Sequence, residues 1–289
     1  IRDSSNSIYG DDGDDTFNII QGGSNTIDGG TGTNTVTGTV GSNTTINVVG
    51  ANSGSVSLTK GVEQIVNING KNYTMSTTLS SDEVIYKLDS SGQITFSSSS
   101  SSTDTIIKGD VNQKHNVVVS RVTFYGGNQG DKIEARELSF VYCGSGNNVL
   151  NVYYSYVDCR DGNNTITLSS LSTIYGGTGT NNVTLNGNSN YLESRNGTMN
   201  ITIKGGKNNT IYGEGTNNRI VSNSGSNTFI SGFGDADNAQ ALSLAKGETK
   251  NLTINGINYT VKNTNSKTSN ALLYTVNPCL LYTSPSPRD

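Results

Sequence analysis

Residues 176–211 read GGTGTNNVTLNGNSNYLESRNGTMNITIKGGKNNTI, and the spacing of the apolar residues in this stretch decides the fold. Val183, Leu192, Ile201 and Ile211 follow one another at nearly equal steps, separated by turns of Gly, Asn, Ser and Thr. The same beat extends to Ile220 and Phe229 on one side. On the other it runs back through Ile174, Ile166, Val157, Val149, Val141 and Ile133 to Phe124, always in steps of 8, 9 or 10. This is a tandem repeat. Gly, Asn, Ser and Thr are weak helix formers and the spacing has no 3.6-residue period, so helix formation is a poor competitor. A half-turn of about nine residues holds a tight turn and one short strand, and two half-turns make a coil. Coils of about 16–19 residues stacked as a parallel β-solenoid, at roughly 4.8 Å per coil, explain the pattern. One inward side chain contributes roughly 1.5–3 kcal/mol, whereas ordering about nine backbones costs about 1 kcal/mol each or more. A single repeat is therefore unstable. The stack needs ladder hydrogen bonds between coils, stacked Asn side chains, or a bound ion.

The ion is suggested by residues 10–17, GDDGDDTF, which carry four Asp within five residues. This octet resembles the calcium-binding nonapeptide of the RTX (hemolysin-type) family, in which GGxGxDxU runs from a turn to an inward apolar residue. Gly10, Gly13, Asp15 and Phe17 fill the expected places and Asp11 stands at the second Gly. A hard cation takes six or more oxygens, and an acidic glycine turn offers carboxylates and carbonyls in a small radius. The resemblance implies a calcium site made of Gly10, Asp11, Asp12, Gly13, Asp14 and Asp15, shared with the matching turn one coil away, where Asn34 stands. Elsewhere the chain departs from the family. Two residues before the apolar position it has Asn25, Asn34, Asn147, Asn164, Asn181, Asn209, Asn218 and Asn227, and only Asp15 and Asp131 keep the acid. Asp131 is thus the one candidate ligand in the main array. An Asn-ladder solenoid that needs no metal competes with calcium there.

The array is interrupted. From Asn52 the glycine period stops, and Asn69-Gly70 between two alternating stretches predicts a two-residue hairpin turn with positive φ at both positions. A second strand pair, EVIYKL and QITF, flanks Asp89–Gly92. Asn52–Met75 aligns without a gap on Asn238–Val261, with INGKNYT over INGINYT. The expected organisation is an all-β chain of parallel β-roll or solenoid blocks interrupted by small antiparallel hairpin modules. Residues 1–51 are the end of one block, 52–96 a hairpin module, 97–103 a Ser-rich joint, 104–237 the main block, and 238–278 a second, truncated module. Residues 279–289, CLLYTSPSPRD, resemble a translated frame of a sequencing-library transposon adapter and are set aside as an artefact. Ile1 is not Met and no signal-like stretch follows it, so the chain is expected to be a fragment, of metagenomic type, open at both ends.

With 31% hydrophobic residues, 35 Gly and no Trp among 289 residues, no thick globular core is expected. A net charge of −4 without basic clusters argues against nucleic acid, and no apolar run approaches the roughly eighteen residues of a membrane span. Cys143 and Cys159 each lie two places after an array residue. They are either a disulfide staple in an oxidising compartment or two small side chains in equivalent slots. Tyr125, Tyr142, Tyr175 and Tyr212 directly follow inward residues on one side. Such a row either offers flat area to a glycan or protein or forms a self-supporting ladder. Asp158, Arg160 and Asp161 are the compact polar group that acid–base chemistry would use, but the coils are short, no long loop builds a cleft, and His115 is the lone histidine. No enzyme is expected within these residues. The reading is a secreted or cell-surface, calcium-binding structural or adhesive stalk. The alternative is the repeat region of a larger RTX toxin or secreted hydrolase with its catalytic domain elsewhere.

Overall fold

The structure is a computed structural model that describes residues 1–32, 34–38, 45–48, 52–100, 103–206, 208–212, 219–222, 228–232, 239–245, 247–254, 257–263 and 270–276. Asn218, Asn227 and the 279–289 tail lie outside the described residues. Every element among the described residues is a strand, and the strands wind as a parallel β-solenoid with mixed sheets. The chain divides into two compact units, residues Ile1–Leu150 with Tyr154–Tyr156, and Asn151–Tyr153 with Val157–Asp289.

The coil lengths follow the apolar beat. In the first unit Asn116 pairs with Lys132, Thr123 with Phe140 and Ser7 with Thr26, so that successive coils are offset by 16, 17 and 19 positions at these places. In the second unit Thr165 pairs with Asn182 and Thr173 with Tyr191, offsets of 17 and 18. All of these pairings are parallel. The two strands of a coil are unequal. One wall has three-residue strands with a single inward side chain, as in Thr123–Tyr125, Thr173–Tyr175 and Tyr191–Glu193. The facing wall has longer strands with two apolar residues inward, such as Ile166 with Leu168, Val183 with Leu185, and Ile201 with Ile203, all at most 2% exposed. The expected single inward residue per half-turn therefore holds for one wall only. Alternation within ITL, VTL and ITI adds the second residue on the other, because side chains two apart share a face.

The register differs from expectation at two of the described coils: at the later one Ile230, not Phe229, pairs with the inward Ile211, and the earlier one lies at Val149. Val149, placed inward by the beat, is 46% exposed, and Leu150 and Val152 are buried in its stead. The strand Val149–Val152 begins one residue later in phase, so Asn148, not Asn147, takes the position before the inward residue.

The hairpin module is built into the walls. Gln64–Ile68 and Lys71–Thr77 pair antiparallel across Asn69 (φ 51°) and Gly70 (φ 74°), the positive-φ pair that the turn requires. Gln64–Ile68 joins the preceding coil strand Thr45–Val48 in parallel, and Lys71–Thr77 joins Thr105–Gly109 antiparallel. On the other wall Asn52–Thr59 and Ile94–Ser98 flank Ser81–Leu88, both antiparallel to it. The second copy repeats the internal pairing, Ala239–Leu244 with Asn270–Val276 and Thr249–Ile254 with Ile257–Asn263. It attaches by the other edge: Ile257–Asn263 and Asn270–Val276 pair in parallel with Arg219–Ser222 and Thr228–Gly232. The counterparts of these two strands in the first copy face the following coil.

Ser97–Ser100, expected to belong to a joint, are held in place. Asp82, 8% exposed, accepts hydrogen bonds from Ser98 Oγ (2.5 Å), Ser99 Oγ (2.9 Å), Ser100 N (3.2 Å) and Thr105 Oγ1. One carboxylate thus ties the end of Ile94–Ser98 to Ser81–Leu88. Residues 101 and 102 lie outside the described residues.

Candidate functional site

The acidic turn Gly10–Asp15 lies directly over the turn Gly29–Asn34, as the coil length requires. Gly10 N donates to Asp28 O (2.8 Å), Thr31 N to Asp11 O (2.9 Å) and Gly13 N to Thr31 O (3.0 Å). The approach is so close that a Cβ on Gly30 would sit 1.7 Å from the Asp11 carbonyl oxygen. Asp15 and Asn34 meet as the register predicts, through a hydrogen bond from Asp15 N to Asn34 Oδ1 (2.9 Å). Asp12 Oδ1 accepts from Thr31 Oγ1 (2.6 Å). Asp15 Oδ2 is buried without a hydrogen-bond partner. Asp11, Asp12 and Asp14 are exposed. Among the described residues no three His, Cys, Asp or Glu side chains gather into a group that could hold a metal ion.

Asp131 has a different use. It is 1% exposed, its Oδ1 accepts from His115 N (2.8 Å), its Oδ2 accepts from Gly127 N (2.8 Å), and its own N–H donates to Asn148 Oδ1 (2.8 Å). Burial pushes its carboxyl above the ordinary range, against those two N–H bonds. At neighbouring positions the side chain meets carbonyls instead. Asn148 Nδ2 donates to Gly146 O (2.8 Å), Asn164 Nδ2 to Gly162 O (3.2 Å) and Asn34 Nδ2 to Gly30 O (3.3 Å). The local backbone therefore selects the residue: an acid where the turn presents an N–H, an amide where it presents a carbonyl. His115, fully buried, bonds the Tyr73 hydroxyl through Nδ1 (3.1 Å) and Asp110 O through Nε2 (3.0 Å). A carbonyl only accepts, so Nε2 carries the proton and Nδ1 accepts from Tyr73.

These residues form the dominant polar feature of the stack, a ladder in which a buried side-chain oxygen of one coil receives a backbone N–H of the coil before it. Its other rungs are Asn6 N to Asn25 Oδ1 (2.9 Å), Ser172 N to Asn190 Oδ1 (3.0 Å) and Asn190 N to Asn209 Oδ1 (3.0 Å). Amide-to-amide bonds from Asn164 to Asn181 (2.8 Å) and from Asn190 to Asn209 (3.0 Å) reinforce it.

The tyrosine row is a stack of rings. In the first unit Tyr125 and Tyr142 lie 4.9 Å apart at 14°, Tyr156 packs 6.0 Å from Tyr142, and Phe140 stacks on Tyr156 at 5.2 Å. In the second unit Tyr191 lies 5.9 Å from Tyr175 and 5.1 Å from Tyr212. Tyr156 and Tyr191 escape the sequence reading because they sit two places before the expected position, on the same outward face. Arg195 covers Tyr175 at 4.1 Å and pairs with Asp158 (3.3 Å) and Glu193 (3.6 Å). Tyr125 with Tyr142 and Phe140 with Tyr156 turn their ring faces toward one another, and the other pairs are tilted; neighbouring rings in contact are what the ladder alternative expects.

The remaining candidates are dispersed. Cys143 and Cys159 are buried thiols. Asp158 Oδ1 accepts from Arg160 N (3.1 Å) and its Oδ2 holds Arg195, while Asp161 Oδ1 accepts from Thr178 Oγ1 (2.6 Å). The two carboxylates thus serve different local bonds. The buried hydroxyl cluster on Asp82 has no periodic signature, and sequence reasoning missed it. Comparison of the chain with family models, curated proteins and solved structures gives no match.

Proposed function

We propose that this chain is a structural and adhesive repeat protein of the cell exterior, a scaffold of stacked coils. The observation that supports the reading most is the ladder of buried Asn and Asp side chains. It joins coil to coil through backbone N–H groups in both units, using only groups of the chain itself. Such a stack presents repeated outward side chains at a fixed spacing, which is what a spacer or an attachment surface needs. Extracellular placement is what the RTX resemblance implies. Calcium enters the proposal only at Gly10–Asp15, where the buried Asp15 Oδ2 has no hydrogen-bond partner. There it would screen the four neighbouring carboxylates without carrying the fold.

A calcium titration of the full chain tests this, with far-UV circular dichroism and thermal melting in excess calcium and in excess chelator. The β spectrum should persist in chelator, and calcium should raise the melting temperature by only a few degrees, corresponding to about 1 kcal/mol. Loss of the β spectrum on chelation would overturn the reading and restore calcium as the partner that holds the coils.

A further inference from the structure

Three lysines converge where the first hairpin module meets the coils that follow it. Lys71 leaves the Asn69-Gly70 turn, Lys114 precedes the buried His115, and Lys132 opens the strand Lys132–Arg136. All three line one open cleft of about 440 Å³, together with Asn116, Asn147 and Val149. The volume falls among small-ligand pockets, roughly 300–1,000 Å³.

The cleft gathers positive charge. The chain is acidic, with 19 Lys and Arg against 23 Asp and Glu. Among the described residues five other cations have carboxylate partners: Lys108 pairs with Glu63, Arg121 with Glu137, Arg136 with Glu134, Arg195 with Asp158 and Lys250 with Glu248. Among the described residues no carboxylate lies within ion-pair distance of Lys71, Lys114 or Lys132. The one acid at the cleft is Asp131, buried and turned onto the N–H groups of His115 and Gly127. Like charges gathered in a concavity favour an anion there.

The cleft is also preorganised. Lys71 Nζ donates to the Lys114 carbonyl, Asn72 N to Gln113 Oε1 (3.1 Å) and Gln113 Nε2 to Gly70 O (3.4 Å). The turn of the module is thereby fastened to the turn of the next coil, so the lysines hang from fixed backbones. Val149 supplies the second property. Its side chain, turned outward by the one-residue change of phase, adds an exposed apolar surface to a cationic wall lined with amides. An anion with hydroxyls and a C–H face satisfies all three groups at once. Among the described residues no Phe, Tyr or Trp lines the cleft, and the His115 ring is buried and bonded to Tyr73 and Asp110 O, so no exposed ring is there to stack a base, which separates this chemistry from that of nucleotides.

We propose that this cleft binds an acidic saccharide, its carboxylate or sulfate held by Lys71, Lys114 and Lys132, its hydroxyls by Asn116 and Asn147, and a C–H face by Val149. The site would give the scaffold an adhesive contact, yet none of its lysines belongs to the coil-to-coil ladder, so the two proposals fail separately.

The test is calorimetric titration of the full chain with four probes: an oligogalacturonate, a heparin-derived oligosaccharide and a neutral cello-oligosaccharide of equal length, and free sulfate. At least one acidic probe should bind, weakening with added salt, and the neutral one should not; carboxylate and sulfate sources are told apart by which acidic probe is preferred. Lys114→Gln and Lys132→Gln, on exposed side chains, should each lower affinity about fivefold, the upper range of an exposed ion pair, with melting unchanged. Val149→Ser should weaken the saccharide but not free sulfate. Equal binding of the neutral probe, no binding of either acidic probe, or unchanged affinity in both lysine variants would overturn the proposal. So would binding of free sulfate as tight as that of the saccharide.

Discussion

If the ladder holds the coils together, removing a single rung has a calculable cost. Asn190 is 2% exposed and makes three side-chain bonds: its Oδ1 accepts from Ser172 N (3.0 Å), and its Nδ2 donates to Ser169 O (2.8 Å) and Asn209 Oδ1 (3.0 Å). Asn190→Ala strands the N–H of Ser172, itself 1% exposed, at about 2 kcal/mol, and forfeits roughly 1 kcal/mol of net bonding from the amide. Ser169 is exposed and recovers a water, and Asn209 Oδ1 keeps the Asn190 backbone N–H. The sum is about 3 kcal/mol.

Asn190→Asp separates bonding from volume. The acceptor for Ser172 survives, but a buried carboxylate oxygen now faces two acceptors, and the loss at neutral pH should exceed that of the alanine variant, about 4 kcal/mol or more. Burial and those acceptors raise the new carboxyl's folded pKa. Its stability is then fullest below the unfolded value, near 3.9, and falls as pH rises through the folded one. The deficit relative to wild type should therefore shrink in acid. Urea unfolding followed by circular dichroism gives the free energies, and hydrogen exchange at the Ser172 amide reports the rung directly. An alanine variant within about 0.5 kcal/mol of wild type, or an aspartate deficit that ignores pH, would refute the ladder as a source of stability.

Four further substitutions probe other points. Asp131→Asn puts an amide N–H against the N–H of Gly127 and should cost about 1–2 kcal/mol in urea unfolding, although asparagine fills most of the equivalent positions. At Asp82, burial pulls the carboxyl up, but bonds from Ser98 and Thr105, with Glu83 N and Ser99, outweigh it and hold the group below its ordinary range. Its contribution is therefore present above the unfolded pKa and lost as pH falls through the folded one, so wild type should lose its advantage over Asp82→Ala in an acid-unfolding series. Gly177→Ala would set a Cβ 0.9 Å from the Arg160 carbonyl oxygen and should destabilise by 3 kcal/mol or more, about the top of the overpacking range. Gly61→Ala meets nothing within 4 Å and should cost about 1 kcal/mol, for its positive φ alone; thermal melts of the pair give the contrast.

Periodicity made the fold legible. Coil length, parallel stacking and the facing of Asp15 by Asn34 all follow from apolar spacing, because a repeat that stacks must place equivalent residues at equivalent heights. Asn69-Gly70 gave the hairpin, since few other dipeptides take positive φ twice. Val149 failed for a local reason: VLNV offers two alternating registers, and the beat cannot choose between them when a half-turn gains or loses a residue. Asp131 stands where the RTX repeats that the chain resembles carry an acid; which group of the turn backbone faces it is invisible in the text. Asp82 was missed for want of any spacing rule, its hydroxyl donors lying 16 to 23 residues away. Lys71, Lys114 and Lys132 share no spacing in sequence and meet only through the attachment of the module to the coils.

The module also bears on how fast such a chain assembles. Every parallel rung must first close a loop of a full coil, while Ile68 and Lys71 pair directly across the Asn69-Gly70 turn. A hairpin of this kind forms in about 1–10 μs, well before the nonlocal pairings. Once formed, it offers one edge to Thr45–Val48 and the other to Thr105–Gly109, so coils can add outward from it in both directions. The chain reverses twice in passing through it, and the winding resumes in its original sense. Seeds of local structure set at intervals would make assembly time depend on the number of coils between neighbouring seeds rather than on total length. Disabling Asn69-Gly70 should accordingly slow refolding of the flanking coils far more than it weakens them.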